Sequence, residues 1–271
     1  MHLQVVDLDR SIAYYQQTLG LRVLDRRERT ASLGPHGASN AIVELHSGPN
    51  VRPAPRGALG LYHFAILLPD RPSLGRFVRH LASIGARAGM ADHLVSEAIY
   101  LTDPDGLGIE VYADRPRAGW QVDGRELAMT TEPLDAGDLA AAGGSVVWTG
   151  MPAGTVLGHV HLHVGDLTEA AAFYHAGLGF DKVVWSYPGA LFMSAGGYHH
   201  HLAANTWSWA PAPSADQAQL LAWDIVVPRS EDAAAAAQSL ANAGYRVEDA
   251  AGMWTAADPW GTALRLVWPR P

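Results

Sequence analysis

The chain has 271 residues, of which 48% are hydrophobic and 17% charged, and this composition excludes wholesale disorder. Its length predicts two compact domains or one of double length. The formal net charge of −8 argues against a nucleic-acid or anionic-membrane partner. The sequence has thirteen histidines and no cysteine, so any bound metal is held by nitrogen and oxygen. Without a transmembrane stretch or a leading signal, we expect a cytoplasmic protein, in which homo-oligomerisation is plausible.

A strand, a helix and several short strands follow one another four times along the chain. The leading apolar strands are predicted at residues 3–6, 62–68, 160–164 and 220–227. The helices are predicted at residues 9–19, 72–84, 167–176 and 230–243. Glycines expected at the helix ends are Gly20, Gly85, Gly179 and Gly244. After each helix, runs in which apolar and polar residues alternate predict the remaining strands of the module. The repeating unit is therefore a βαβββ module, and the predicted fold class is α+β.

The two halves of the chain are duplicates. Residues 2–20 and 161–179 share the frame H-L-x-V-x-D-L, followed by a helical stretch and a Leu-Gly stop, with an offset of 159. Modules 1 and 2 form a first predicted domain over residues 1–115, and modules 3 and 4 form a second over residues 156–271. Residues 116–155 are predicted to be a linker because they are rich in Gly, Ala, Pro and Asp and show little periodicity.

Four segments carry a resemblance to a known family: GLYHFAILLPDR (60–71), VSEAIYLTDPDGLGIEVYADRPR (95–117), GHVHLHVGDL (158–167) and LFMSAGGYHHHLAANTW (191–207). They resemble the vicinal oxygen chelate superfamily of glyoxalases, bleomycin-resistance proteins and extradiol dioxygenases, and most of all its four-module catechol 2,3-dioxygenases. The resemblance implies curved mixed sheets that enclose a metal cleft. It also implies Fe(II), with Mn(II) or another divalent metal as alternatives, and a small aromatic diol and O2 as substrates.

In that superfamily the metal is held by the first and last strands of paired modules, and this rule can be tested on each module. Module 2 supplies His63 and Glu110. Module 4 has Ala222 and Arg265 at the matching positions, and arginine cannot bind a cation. Module 3 supplies His159, whereas the matching position of module 1 falls before Met1. The resemblance therefore implies a 2-His-1-carboxylate set, as in non-haem Fe(II) oxygenases. This set requires module 2 to pair with module 3, and module 1 with module 4.

Alignment with the same family gives roles to further residues. The tract from Tyr198 to His201 is placed in the last strand of module 3, where alternation sends His200 to one face and its two neighbours to the other. His200 is the predicted catalytic histidine, and His201 is the alternative if the register slips, or an extra fourth ligand. Tyr100 is expected to hydrogen-bond the substrate, and His93 to line the cleft and shuttle a proton. Each of these residues also has a structural interpretation as a strand tyrosine, a loop histidine or a surface cluster.

Two sets of alternatives remain open. The first concerns the residues beside the metal. His161 and His163 share the face of His159, but they are equally well explained as polar residues on an open sheet. Aromatic and apolar candidates for the cleft wall are Trp148, Phe192, Met193, Trp207 and Trp209.

The second set of alternatives concerns the chemistry, because fold alone does not fix function. The alternatives to the dioxygenase are a glyoxalase-like isomerase, lyase or thiol transferase, and a non-catalytic binding or resistance protein.

Overall fold

The computed structural model describes residues 1–250 and 252–269, and it contains the four predicted modules. Module 1 consists of β1 (His2–Val5), α1 (Leu8–Gln17), β2 (Arg22–Arg26), β3 (Thr30–Gly34) and β4 (Val43–Ser47). Module 2 consists of β5 (Gly60–Leu67), α2 (Arg71–Ser83), β6 (Gly89–Asp92), β7 (Ser96–Thr102) and β8 (Gly108–Asp114). The segment between the halves carries β9 (Val122–Asp123), β10 (Glu126–Leu127) and α3 (Ala136–Ala142).

The second half repeats the order of the first. Module 3 consists of β11 (Val156–His163), α4 (Leu167–Ala170) with a π-helical continuation (Ala171–Gly177), β12 (Asp181–Val184), β13 (Ala190–Ser194) and β14 (Leu202–Asn205). Module 4 consists of β15 (Gln219–Val226), α5 (Ser230–Asn242), β16 (Val247–Ala250), β17 (Met253–Ala257) and β18 (Ala263–Val267). The α+β class and the βαβββ repeat are confirmed.

Short polar signals explain where the helices begin and end. The carboxylates of Asp7, Asp70 and Asp166 each accept hydrogen bonds from backbone amides of the first helical turn, at 2.7–3.0 Å. The four predicted stop glycines all have positive φ, between 66° and 96°. One difference from the prediction lies in module 3, where the helix widens after its first turn. There Leu178 N–H donates to Phe173 O, five residues earlier.

The sheets join modules from different halves of the chain. Within the described residues, one eight-stranded sheet has the order β12-β13-β14-β11-β5-β8-β7-β6, and we call it the site sheet. The other has the order β16-β17-β18-β15-β1-β4-β3-β2, and we call it the companion sheet. The pairing of module 2 with module 3, and of module 1 with module 4, is therefore confirmed. Each central contact is antiparallel, between β5 and β11 and between β1 and β15.

The two central strands of the site sheet, β5 and β11, each bury one face in the main hydrophobic core. On β5 the side chains of Phe64 and Ile66 belong to the main hydrophobic core, as do Val160 and Leu162 of β11. Full burial of side chains this large contributes about 1.5–3 kcal/mol each. The opposite face therefore carries the intervening residues, and its curved surface is free to hold polar groups.

The segment between the halves packs against module 2 through a glycine contact. Gly75 of α2 lies so close to α3 that a Cβ on it would stand 2.2 Å from Leu139 O and 2.7 Å from Gly143 N. Both of these atoms belong to backbone, so neither can move aside without shifting α3. The close approach of the two helices therefore depends on glycine at this position.

We expect Gly75→Ala to lower the free energy of unfolding by about 1–3 kcal/mol, because the steric cost exceeds the helix propensity that alanine gains. The midpoint of urea unfolding measures this loss. Gly119→Ala is the matched control, since a Cβ on Gly119 would meet no atom within 4 Å. Equal midpoints for the two variants would contradict the close packing of α2 on α3.

Candidate metal and substrate site

Three strands of the site sheet bring His63, Glu110 and His159 together. Ala65 of β5 pairs with His159 of β11 on one side and with Glu110 of β8 on the other. His63 stands two residues before Ala65 and so shares its face. All three side chains are buried, with exposures of 5%, 2% and 6% for His63, Glu110 and His159. Residues from both halves of the chain therefore converge on one point.

The ligand atoms of this triad lie within 4.8 Å of one another. Glu110 Oε2 is 3.0 Å from His63 Nε2 and 3.2 Å from His159 Nε2. His63 Nε2 is buried and has no properly aligned hydrogen-bond partner, although it lies near the carboxylate. An orphaned buried nitrogen beside a carboxylate is a poor arrangement by itself. The same arrangement is favourable when a cation is bound by His63, Glu110 and His159 together.

The charge states of the triad also fit a divalent cation. Burial lowers the pKa of His159 to about 4, so its imidazole is neutral near pH 7. Burial alone would raise the pKa of Glu110. The contacts with His159 and His63 outweigh that effect and hold the pKa well below its ordinary value. Two imidazoles and one carboxylate form a donor set suited to Fe, Mn, Zn or a similar ion.

Tyr100 and His93 form one hydrogen-bonded chain beside the triad. His93 Nδ1 donates to Thr130 O at 2.7 Å, because a carbonyl oxygen can only accept. A neutral imidazole carries only one ring proton, so His93 Nε2 then has none and accepts a hydrogen bond. The Tyr100 hydroxyl donates this bond at 2.6 Å. Burial, followed by the nearby Glu110, raises the pKa of Tyr100 well above its ordinary value, so the phenol keeps this proton. The lone pairs of the Tyr100 oxygen remain able to accept a further hydrogen bond.

A second hydrogen-bonded chain ends at His200. His199 Nε2 donates to Asp114 Oδ1 at 3.0 Å, because a carboxylate accepts. His199 Nδ1 then accepts from His200 Nδ1 at 2.7 Å. The remaining nitrogen of His200, Nε2, is thereby left as a proton acceptor. The His200 ring lies next to the triad, because its centroid is 4.0 Å from that of the His159 ring.

The histidine tract does not lie in a strand, and this prediction is wrong. Tyr198 to His201 form the loop before β14, because Gly196 and Gly197 turn the chain with φ of 63° and 66°. Strand alternation therefore does not apply. His199 and His200 are both buried and touch one another, with exposures of 0% and 6%. His201 is half-buried and accepts from Ala195 N through its Nδ1, so its ring is engaged within the loop.

His161 and His163 share the face of the triad but are tied to one another. Asn205 Nδ2 donates to His161 Nε2 at 2.8 Å, and His163 Nδ1 donates to Asn205 Oδ1 at 2.6 Å. Because both rings are engaged with Asn205, the interpretation of His161 and His163 as structural polar residues of the sheet is favoured over a role at the metal. Asn205 therefore holds two of the buried histidines in fixed tautomers.

A cavity of about 190 Å³ opens onto the triad, and His63 and Glu110 form part of its wall. Among the predicted wall residues, Phe192 and Trp207 line it. Met193 is buried in the main core instead, and Trp148 stacks on His80. Trp209 lines a larger cavity of about 690 Å³, which shares Tyr62, His63, Tyr100 and Trp207 with the inner one.

Several residues of this site escaped the sequence analysis. The segment Met129, Thr130 and Thr131 lines the cavity although it belongs to the predicted linker. Thr130 acts through its backbone carbonyl, which every residue possesses, so no sequence signal marks it. Asp114 could have been found, because it follows Glu110 by four residues and so lies on the same face of β8.

The comparisons with known proteins agree with this fold. The family model of the Glyoxalase/Bleomycin resistance protein/Dioxygenase superfamily matches residues 1–111 and 156–266. A catechol-2,3-dioxygenase of Bacillus subtilis (strain 168) is 43% identical over 264 residues, which cover 95% of this chain and 92% of that protein.

Solved structures with lower sequence identity share the fold. A provisionally named dioxygenase of Bacillus subtilis superposes with a TM-score of 0.67 at 14% identity, covering 100% of this chain and 84% of that one. Glyoxalase I of Zea mays superposes with a TM-score of 0.57 at 20% identity, covering 98% and 90%. In the part of the chain that the structure describes, no helix is long and apolar enough to cross a membrane. On the match of both halves and the identity to the Bacillus subtilis protein, the chain belongs to the glyoxalase/bleomycin resistance protein/dioxygenase superfamily.

Proposed function

We propose that this chain is an extradiol dioxygenase, which cleaves the ring of a catechol-type diol with O2 and uses Fe(II) held by His63, Glu110 and His159. The observation that carries the proposal is the convergence of these three ligands beside a small cavity with two hydrogen-bonded chains. Three protein ligands leave three positions of an octahedral ion free for other groups. The 43% identity to a protein named catechol-2,3-dioxygenase supports the same chemistry.

The cavity supports a substrate with a single aromatic ring. An engineered cavity of about 150 Å³ in another protein binds benzene, and the inner cavity here has about 190 Å³. One ring with two hydroxyl groups fills such a volume. Phe192 and Trp207 offer an apolar, aromatic wall against which the ring of the substrate can pack.

When bound in this site, Fe(II) supplies Lewis acidity toward the diol and the redox chemistry that activation of O2 requires. His200 Nε2 takes a proton from one hydroxyl of the diol, and His199 with Asp114 holds the His200 ring in the required tautomer. The Tyr100 oxygen, whose own proton is directed to His93, accepts a hydrogen bond from the other hydroxyl. The substrate is thereby oriented from two sides.

The overall reaction balances without a further reductant. The ring C–C bond beside the diol breaks, and both atoms of O2 enter the product. The product of such cleavage is a yellow hydroxymuconic semialdehyde, whereas cleavage between the two hydroxyl groups gives a dicarboxylic acid without that colour.

Oxygen uptake and product colour test the proposal together. The protein is loaded with Fe(II) under anaerobic conditions and mixed with catechol, and O2 is then admitted. We expect one O2 consumed per yellow product formed. Loading with Mn(II) or Zn(II) in parallel shows which metal supports turnover. If metal-loaded protein consumes no O2 with catechol and its methyl- and chloro-substituted forms, the isomerase or lyase alternative replaces the dioxygenase.

A further inference from the structure

The companion sheet lacks the triad but carries another group of metal-type ligands. Its register places Ala222 opposite His2 and places Arg265 opposite Asp224. Arg265 binds Asp224 through two nitrogens, at 2.5 and 2.7 Å. In the companion sheet, the position that matches Glu110 is therefore occupied by Arg265, which forms an ion pair with Asp224.

Next to that ion pair, β1 and β4 bring together His2, Glu44 and His46. Their ligand atoms lie within 4.8 Å of one another. Glu44 Oε2 is 3.0 Å from His2 Nδ1 and 3.8 Å from His46 Nε2. His46 Nε2 is shielded from solvent and has no hydrogen-bond partner. As in the catalytic triad, an unpartnered imidazole nitrogen is directed toward a carboxylate that two histidines share.

The surroundings of this group are those of a supported metal ligand. Asp224 Oδ2 lies 3.2 Å from His2 Nε2, on the side of the ring away from Glu44. A carboxylate behind a ligating imidazole is the usual partner that orients the ring and strengthens its binding. Arg265 donates to His2 Nε2 in the absence of an ion. With a metal on His2 Nδ1, the ring proton would move to Nε2 and be donated to Asp224, which Arg265 keeps ionised.

We propose that His2, Glu44 and His46 form a second site for a divalent transition-metal ion such as Zn²⁺, with water in the remaining positions. At metal–ligand bonds of about 2.0–2.2 Å, the ligand atoms lie about 3.0–3.6 Å apart. The 3.0 Å pair meets this spacing already. The 3.8 Å pair needs only a small rotation of Glu44 and His46, whose side chains are 41% and 34% exposed.

This site would differ from the catalytic triad in access and in role. Two of its ligands are partly exposed, so the ion enters directly from solvent and exchanges more readily. None of its three ligands lines the inner cavity, so binding of the ion would require no substrate. A bound ion would tie β1 to β4, and therefore fasten the first strand of the chain to the companion sheet.

Metal stoichiometry tests the site. Protein with no histidine tag is stripped with a chelator, dialysed to equilibrium against micromolar Zn²⁺ and analysed for bound metal. We expect two Zn²⁺ per chain in the wild type and one in Glu44→Gln, which keeps the size of the side chain and removes its charge. His46→Ala should also bind one. His36→Ala, an exposed histidine of the same module outside both groups, is the matched control and should bind two.

The catalytic triad is tested separately in the same experiment. His159→Ala should lose one Zn²⁺, and the double variant with Glu44→Gln should lose both. If the proposed function is wrong and the triad holds no metal, His159→Ala changes nothing while Glu44→Gln still loses its ion. Wild-type stoichiometry in both Glu44→Gln and His46→Ala would overturn the second site.

Discussion

Under the proposed function, replacement of His159 by alanine is expected to remove the metal that the triad would hold and to abolish ring cleavage. His159 supplies one of three ligands, and even the loss of a residue that only supports a metal ligand weakens metal binding by about 10–100-fold. We therefore expect the affinity of the triad for Fe(II) to fall by at least about 100-fold. Metal analysis after gel filtration measures this loss, and oxygen uptake measures the loss of turnover.

His161→Ala is the matched control for this change. His161 lies two residues further along β11, on the same face and equally buried, at 5% exposed compared with 6% for His159. Its Nε2 accepts from Asn205 and is not part of the triad. The His161→Ala variant should keep its metal, and metal content is the measurement compared, because His161 also lines the inner cavity. Equal metal loss in the two variants would mean that general damage to β11, and not a lost ligand, explains the result.

Replacement of His200 by alanine is expected to lower kcat by about 10²–10⁴-fold, the usual contribution of a positioned proton-transfer group. The bound metal should remain, because the three ligands of the triad are untouched. This combination of retained metal and lost turnover separates a proton-transferring role from metal binding. Steady-state oxygen uptake and metal content, measured on the same sample, show both.

Two further variants test the hydrogen-bonded chain behind His200. Asp114→Asn should lower kcat less than His200→Ala does, with little change in KM, because Asp114 acts through His199. His201→Ala, the neighbouring half-buried histidine, should leave kcat near the wild-type value. If His201→Ala lost turnover and His200→Ala kept it, the alternative register of the tract would be the correct one.

The architecture could be predicted because duplicated motifs fix the module positions. Arg265 and Ala222 exclude a metal in module 4, so the family's rule that paired modules hold the metal implied that module 2 pairs with module 3, and the observed register between β5 and β11 agrees. The helix ends were within two residues of prediction because Asp caps and glycine stops are local signals.

The details around His200 could not be predicted in the same way. Whether Tyr198 to His201 extend β14 or precede it depends on the turn that Gly196 and Gly197 make, and two adjacent glycines are compatible with either. The contact of His93 with Thr130 was also hidden, because it uses a carbonyl of a distant segment without periodicity. The sequence therefore predicted several side chains that the structure brings together, such as His63, Glu110 and His159, but neither Asp114 nor the hydrogen bonds between these groups.

The crossed pairing of the modules also governs how the chain folds during synthesis. Strand β5 receives its partner β11 from the other half of the chain, and β1 pairs with a strand that follows about 220 residues later. The central strand pair of each sheet therefore joins residues of high sequence separation, and such contacts form slowly. When modules 1 and 2 have left the ribosome, each presents an open strand edge that only the second half can cover. Such edges invite pairing with another nascent chain. We expect refolding yields to fall as protein concentration rises, and the newly made first half to depend on chaperones.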